Sequence, residues 1–105
     1  VRKHLSKIKG GKLLKYLPCN AVSLVVSDQI NNDLSAIASG ITYSDTSTFQ
    51  QAKRVLEKYR FNRTHPVSKR IHRGANGKLI ETPKKTQIEN YIILSNQTSL
   101  LAMQK

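Results

Sequence analysis

Apolar positions change their spacing several times along the chain, and each change marks an element. Residues 3 to 17 place Leu5, Ile8, Leu13, Leu14 and Leu17 at mostly helical spacing, interrupted by Gly10 and Gly11. Two glycines in a helix interior cost about 2 kcal/mol relative to alanine, so the pair marks either a helix junction or a close approach to the backbone. Residues 21 to 27, AVSLVVS, are short, apolar and β-branched, which predicts a strand buried on both faces, as in a parallel sheet. From Ser47 to Tyr59 the pattern is helical again. Ser47 or Thr48 serves as cap, and Phe49, Ala52, Val55, Leu56 and Tyr59 share one face. A further helix starts at His65 with Pro66 in its first turn and ends at RGANG, where Gly74 and Gly77 supply a left-handed stop. The polar loop KLIETPKKTQIE follows, then the short apolar strand YIILS, then a helix opened by NQTS with Ser95 or Asn96 as cap. The order helix, strand, loop, helix, helix, strand, helix predicts an α/β fold built on a mostly parallel sheet with flanking helices.

Composition narrows the setting. At 105 residues and 38% hydrophobic content, the chain suffices for one small domain with a modest core. It has no apolar run of about 18 residues and no signal-peptide pattern, so a cytoplasmic protein with no membrane partner is expected. The single Cys19 has no partner for a disulfide or a shared metal. His4, His65 and His72 lack metal-ligand spacing, which argues against zinc.

Charge is the loudest compositional feature. Eighteen Lys and Arg against six Asp and Glu give +12, concentrated in residues 2–15 and 53–73. Such a balance attracts phosphate in any form. Aromatics are 6% and dispersed over Tyr16, Phe49, Tyr43, Tyr59, Phe61 and Tyr91, so nucleic acid is expected to bind only through non-specific charge.

Three of the six acids fall in SDQINNDLSAIASGITYSD, directly after the first strand. In open α/β sheets ligands bind outside the carboxyl ends of the strands, where loops lead into helix N-termini. The Ser, Thr and Gly of this loop can offer hydroxyls and backbone N–H groups to an anion, and its carboxylates can hold a cation or orient a hydroxyl. Turns and caps use the same residue types for local reasons.

The ordered set VRKHLSKIKGGKLL, SDQINNDLSAIASGIT, DTSTFQQAKRVLEKY, ETPK and IILSN resembles the glycerate 2-kinases that join a Rossmann-like N-terminal domain to a smaller C-terminal one. The resemblance implies that residues 1–105 are an internal fragment of that N-terminal domain, lacking the upstream nucleotide loop and the second domain. For the complete enzyme it implies ATP-dependent phosphorylation of the 2-hydroxyl of D-glycerate with Mg²⁺, in a cleft between the domains. The rest of the kinase chain, or a second copy of this one, is then the expected partner. The fragment alone is expected to be inactive.

Phosphoryl transfer needs a phosphate cradle, charge neutralisation and a group that orients the attacking hydroxyl. Under the resemblance, Gly10 and Gly11 admit a phosphate to the backbone, with Lys9 or Lys12 as a point charge. Ser27, Ser39, Gly40 and Thr42 offer small donors. Asp28 is the first candidate for catalysis, through hydroxyl orientation, and for metal binding, with Asp33 and Asp45 as weaker choices. The family's GDD is Asn31-Asn32-Asp33 here, and its ASGPT proline is Ile41, which weakens any metal role and frees the loop. Two alternatives stay open: a truncated or diverged non-catalytic relative, and a basic nucleic-acid-binding module.

Overall fold

The structure is a computed structural model that describes residues 1–104. Helix α1 is a single turn, Arg2–Leu5, and ends where the Ser6 hydroxyl accepts the N–H groups of Ile8 and Lys9 at 3.2 and 3.1 Å. Gly10 and Gly11 are both left-handed, with φ of 66° and 77°, and a 3₁₀ turn over Lys12–Tyr16 follows. The GG pair is thus a junction and also a close approach. A Cβ on Gly11 would stand 3.1 Å from the Tyr43 carbonyl oxygen.

Strand β1, Val22–Ser27, pairs in parallel with β2, Glu89–Ser95, from Val22 opposite Glu89 to Ser27 opposite Ser95. The register shifts once, between Val25 and Val26. Between the strands lie α2, Phe49–Lys58, and α3, Pro66–Ala75; α4, Asn96–Met103, leaves β2 directly. The helix starts follow local chemistry. Thr48 and Gln51 form a reciprocal capping box on α2, Ser95 and Thr98 form another on α4, and Pro66 opens α3. The architecture is α/β with a two-stranded parallel sheet.

The core does not lie under the sheet. It forms where α2 meets α3, around Phe49, Ala52, Leu56 and Ile71, with Val1, Leu5, Val67, Ala75 and Leu79 at its edge. Burying a side chain such as Phe49 contributes about 1.5–3 kcal/mol. Val55 and Tyr59, expected on this face, point away and are 44% and 74% exposed. The strands, whose pattern suits burial on both faces in a chain too short to cover them, lie uncovered. Val22, Leu24 and Val26 are each at least 60% exposed, and Tyr91 and Ile93 about half exposed, because the described residues supply no layer to cover them. Among the described residues, no helix is long and apolar enough to cross a membrane.

Gly74 is the second departure. Instead of ending α3 in a left-handed turn, it is buried inside the helix, and Gly77 takes the positive φ of 75°. The reason is steric: a Cβ on Gly74 would fall 2.2 Å from the Phe49 ring. Gly74→Ala gains helix propensity but forces that ring to move, so we expect a net loss of about 1–3 kcal/mol. Urea unfolding followed by circular dichroism checks this; an unchanged or higher midpoint would show that Phe49 yields freely.

Candidate functional site

Four segments distant in sequence meet at one carboxylate. Asp45 is 1% exposed and accepts from Lys3 Nζ at 3.2 Å, the Ser47 N–H at 3.0 Å, the Ser47 hydroxyl at 2.8 Å and the Thr82 hydroxyl at 2.9 Å. Its own N–H donates to the Pro83 carbonyl at 2.9 Å. Lys84 closes the arrangement from outside by donating to the carbonyls of Asp45 and Ser47 at 3.0 and 2.5 Å. Burial pushes the Asp45 carboxyl up, but the donors from Ser47, Thr82 and Lys3 outweigh it and hold the pKa at about 2. Such a carboxylate stays ionised at neutral pH and is a poor base. It is a tie.

His4 sits against this tie, fully buried and stacked on Phe49 at 4.6 Å between ring centroids. Its Nε2 lies 3.4 Å from the Ser47 hydroxyl. Its Nδ1 and Glu81 Oε2 are both buried without a hydrogen bond, 3.9 Å apart. Burial holds the imidazole below its usual range despite Glu81 and Asp45 nearby. The other Glu81 oxygen accepts the Phe49 N–H at 2.8 Å and so satisfies a free donor at the start of α2.

The same node brings together some of the residues singled out from the sequence. Gly10 donates its N–H to the Ser39 carbonyl at 3.0 Å, and Gly11 donates to Gly40 at 2.7 Å. The KGG and IASG segments therefore lie side by side, with both glycine amides engaged by protein. Ala38, Ser39 and Gly40 are all left-handed, at φ of 50°, 60° and 61°, which is costly for the two non-glycine residues. Lys12 Nζ donates to the carbonyls of Lys3 and Ser6, each at 2.7 Å, and so caps the end of α1. Lys9 is half-buried and only its N–H is engaged, by Ser6. A cavity of about 330 Å³ adjoins the node, lined by Arg2, Lys3, Ser39 and Ser47 among others.

Other candidates lie elsewhere. Ser27 and Asp28 stand at the carboxyl end of β1, where the Asn96 amide from the start of α4 donates to the Asp28 carbonyl at 2.8 Å. The Asp28 carboxylate is exposed and accepts no hydrogen bond from the described residues, whereas Ser27 is buried and its hydroxyl accepts from the Gln29 N–H. Asp33 is exposed, with both oxygens taken by Ser35 at 2.8 and 3.0 Å. Thr42 is drawn to the early part of the sheet, 2.6 Å from Asn90 Oδ1 and 3.0 Å from Ser23 Oγ. A cavity of about 640 Å³ opens at the amino ends of the strands beside Val22 and Glu89, away from Asp28.

Among the described residues, no group of three or more His, Cys, Asp or Glu side chains is placed to enclose a metal. A lone exposed carboxylate still suits Mg²⁺, which commonly takes one or two carboxylates and completes its shell with water and substrate phosphates. Asp28 fits that pattern, and Asp33, turned inward on Ser35, fits it less well. Sequence reasoning gives no part in a site to Lys3, His4, Ser47, Thr82 or Lys84. They stand within the segments VRKH, DTS and ETPK, but nothing in their spacing says that these segments meet.

The sequence and fold of this chain have known counterparts. Residues 1–73 match the domain of unknown function DUF4147, and the chain belongs to that family. Within it, the chain resembles part of a glycerate 2-kinase. It is 44% identical to the glycerate 2-kinase of Pyrococcus horikoshii over 98% of this chain and 24% of that one. The crystal structure of glycerate kinase from Thermotoga maritima superposes with a TM-score of 0.78 at 37% identity, over 99% of this chain and 25% of that one. A relative from Agrobacterium vitis, provisionally named a hydroxypyruvate reductase, is 37% identical over 90% of this chain and 20% of its own length. The chain thus spans about a quarter or less of the length of these relatives.

Removing the charge of Asp45 while keeping its shape isolates the tie. Asp45→Asn should cost about 1.5–3 kcal/mol at pH 7, the range for hydrogen bonds to a charged group. Because the folded-state pKa is depressed from 3.8 to about 2, this stabilisation is complete above pH 3.8 and is lost as pH falls towards 2. Unfolding midpoints of parent and variant should therefore converge between pH 4 and 2. A constant gap across that window would refute the ionic character of the tie.

Proposed function

We propose that this chain supplies part of the Rossmann-like N-terminal domain of a cytoplasmic glycerate 2-kinase, which transfers phosphate from ATP to the 2-hydroxyl of D-glycerate in a cleft completed by further chain. The observation that carries the reading is the combination of near-complete coverage of this chain by a glycerate 2-kinase with a free carboxylate, Asp28, at the carboxyl end of a parallel strand.

In this reading Asp28 orients the attacking hydroxyl and offers one oxygen to Mg²⁺. The metal, when bound with ATP, neutralises charge on the transferred phosphoryl group. Gly10 and Gly11 act chiefly by letting the KGG segment lie on the IASG loop, since their amides are already donated to Ser39 and Gly40. That contact holds the IASG loop so that Ser39 offers an anion its hydroxyl, since the N–H groups of Ser39 and Gly40 already donate to the carbonyls of Ala36 and Ile37. Lys12 supports α1, so Lys9, whose ammonium has no partner among the described residues, is the lysine of the pair left for phosphate. Asp33 orders its own turn through Ser35, and Thr42 and Ser27 position the loop against the strands.

The test grafts residues 1–105 in place of the matching segment of the Pyrococcus horikoshii enzyme and couples ADP release to a spectrophotometric assay. The graft should phosphorylate D-glycerate, the isolated chain should not, and Asp28→Asn in the graft should lower kcat about 100-fold or more, the scale of loss when a reacting group is misplaced. A folded graft that is inactive, or that instead oxidises a nicotinamide cofactor with hydroxypyruvate, would overturn the proposal.

The uncovered sheet adds a prediction about assembly. The isolated chain should self-associate through Val22, Leu24, Val26 and the facing residues of β2, or pair with the rest of a kinase chain added in trans. Sedimentation velocity across a range of concentrations should show mass rising with concentration; a strict monomer throughout would count against it.

A further inference from the structure

The hairpin of α2 and α3 carries most of the uncompensated charge. Between residues 49 and 78 stand nine Lys and Arg against one carboxylate, Glu57. The only ion pair in that stretch among the described residues is Lys53 with Glu57 at 3.9 Å. The apolar faces of the two helices are consumed by the core at Phe49, Ala52, Leu56 and Ile71, which turns the cations outward. Arg54, Lys58, Arg60, Arg63, Lys69 and Arg73 are all exposed. Arg54 with Lys58, and Lys69 with Arg73, are like charges four residues apart on one helix, a spacing that destabilises each helix. An anionic partner would relieve that repulsion.

The turn between the helices supplies an independent observation. Its sequence, Lys58-Tyr59-Arg60-Phe61-Asn62-Arg63, alternates cations with aromatic rings, and Tyr59 and Phe61 are 74% and 41% exposed. The chain reverses at Arg60, left-handed at φ 50°, and hydrogen bonds from the Arg60 and Phe61 N–H groups to the carbonyls of Glu57 and Leu56 fix the turn. Lys58 Nζ lies 5.8 Å from the Tyr59 ring centre. Phe61 is held edge-on by His65, at 5.2 Å and 77°. A pocket of about 340 Å³ beside Phe61 is lined by Arg60, Arg63 and His72.

We propose that this turn and the basic flank of the hairpin bind single-stranded nucleic acid, with unpaired bases stacking on Tyr59 and Phe61 while Lys58, Arg60 and Arg63 neutralise the phosphates. Every base has a π-face, so such a surface is tolerant of sequence but distinguishes single strands from duplexes, whose bases are already stacked. It is therefore more than polyanion attraction, which a duplex or a sulfated polysaccharide satisfies equally. A membrane surface fits less well, because the helices have no apolar face left to insert and the two rings sit on a tight turn. The inference does not depend on the kinase reading.

The full chain, titrated by fluorescence anisotropy at near-physiological salt, tests it with a labelled oligo-dT of about 20 nucleotides, longer than most single-strand sites. A duplex of the same length, heparin, and vesicles of phosphatidylserine with phosphatidylcholine complete the set. Oligo-dT should bind more tightly than duplex. Tyr59→Ser should weaken oligo-dT binding at least about fivefold, the low end for losing one stacked base, while heparin binding stays unchanged. Tyr59→Phe, which keeps the ring, should bind like the parent, and Arg60→Gln with Arg63→Gln should weaken every polyanion. Circular dichroism of each variant confirms that the hairpin is intact. Equal affinity for duplex and single strand, indifference to Tyr59→Ser, a Tyr59→Phe variant as weak as Tyr59→Ser, or binding to vesicles but not to oligo-dT would each overturn the proposal.

Discussion

The geometry of this chain depends on one buried negative charge. A carboxylate removed from water is costly unless its oxygens find donors, and Asp45 finds them on residue 3, residue 47 and residue 82. Satisfying that requirement draws the start of the chain, the loop after β1 and the loop before β2 to one point. The core at Phe49 and Ile71 adjoins the tie through His4, which stacks on Phe49 and reaches Ser47. The KGG and IASG segments meet beside it, where Gly10 lies against Lys3, Thr82 and Asp45.

This ordering explains what was legible in the sequence. Elements governed by local rules could be read directly: the apolar run of β1, the capping residues Thr48 and Ser95, and Pro66 at the start of α3 all specify their structure through near neighbours. Gly74 could not be read that way. Its sequence context suggests a helix stop, but its role is set by a ring twenty-five positions earlier in the chain. The strands show the same limit, since a strand pattern reports what a sheet requires and not which residues cover it.

The candidate site was legible only in part. Asp28 is recognisable because a polar residue after an apolar strand falls at the carboxyl edge of a parallel sheet, a position set by topology. Ser39 and Gly40 were singled out with Gly10 and Gly11, and the structure places these pairs in contact. The lysines were harder to assign. Nothing in the sequence distinguishes Lys12, spent on two carbonyls at the end of α1, from Lys9, whose ammonium has no partner among the described residues. Long side chains declare their partners only in three dimensions, so residue type and spacing leave their roles undecided.

The placement of the α2–α3 hairpin between the two strands bears on the order of events as the chain collapses. Residues 28–88 separate the paired strands, and the entropy of closing so long a loop must be met before β1 and β2 exchange a single hydrogen bond. The two helices need only the short turn between them, and their contacts are local. Helix formation takes microseconds or less, about as fast as any event in folding. The hairpin can therefore form first and shorten the effective span that the strands must close, so that a segment contributing no strand to the sheet sets how quickly the sheet appears.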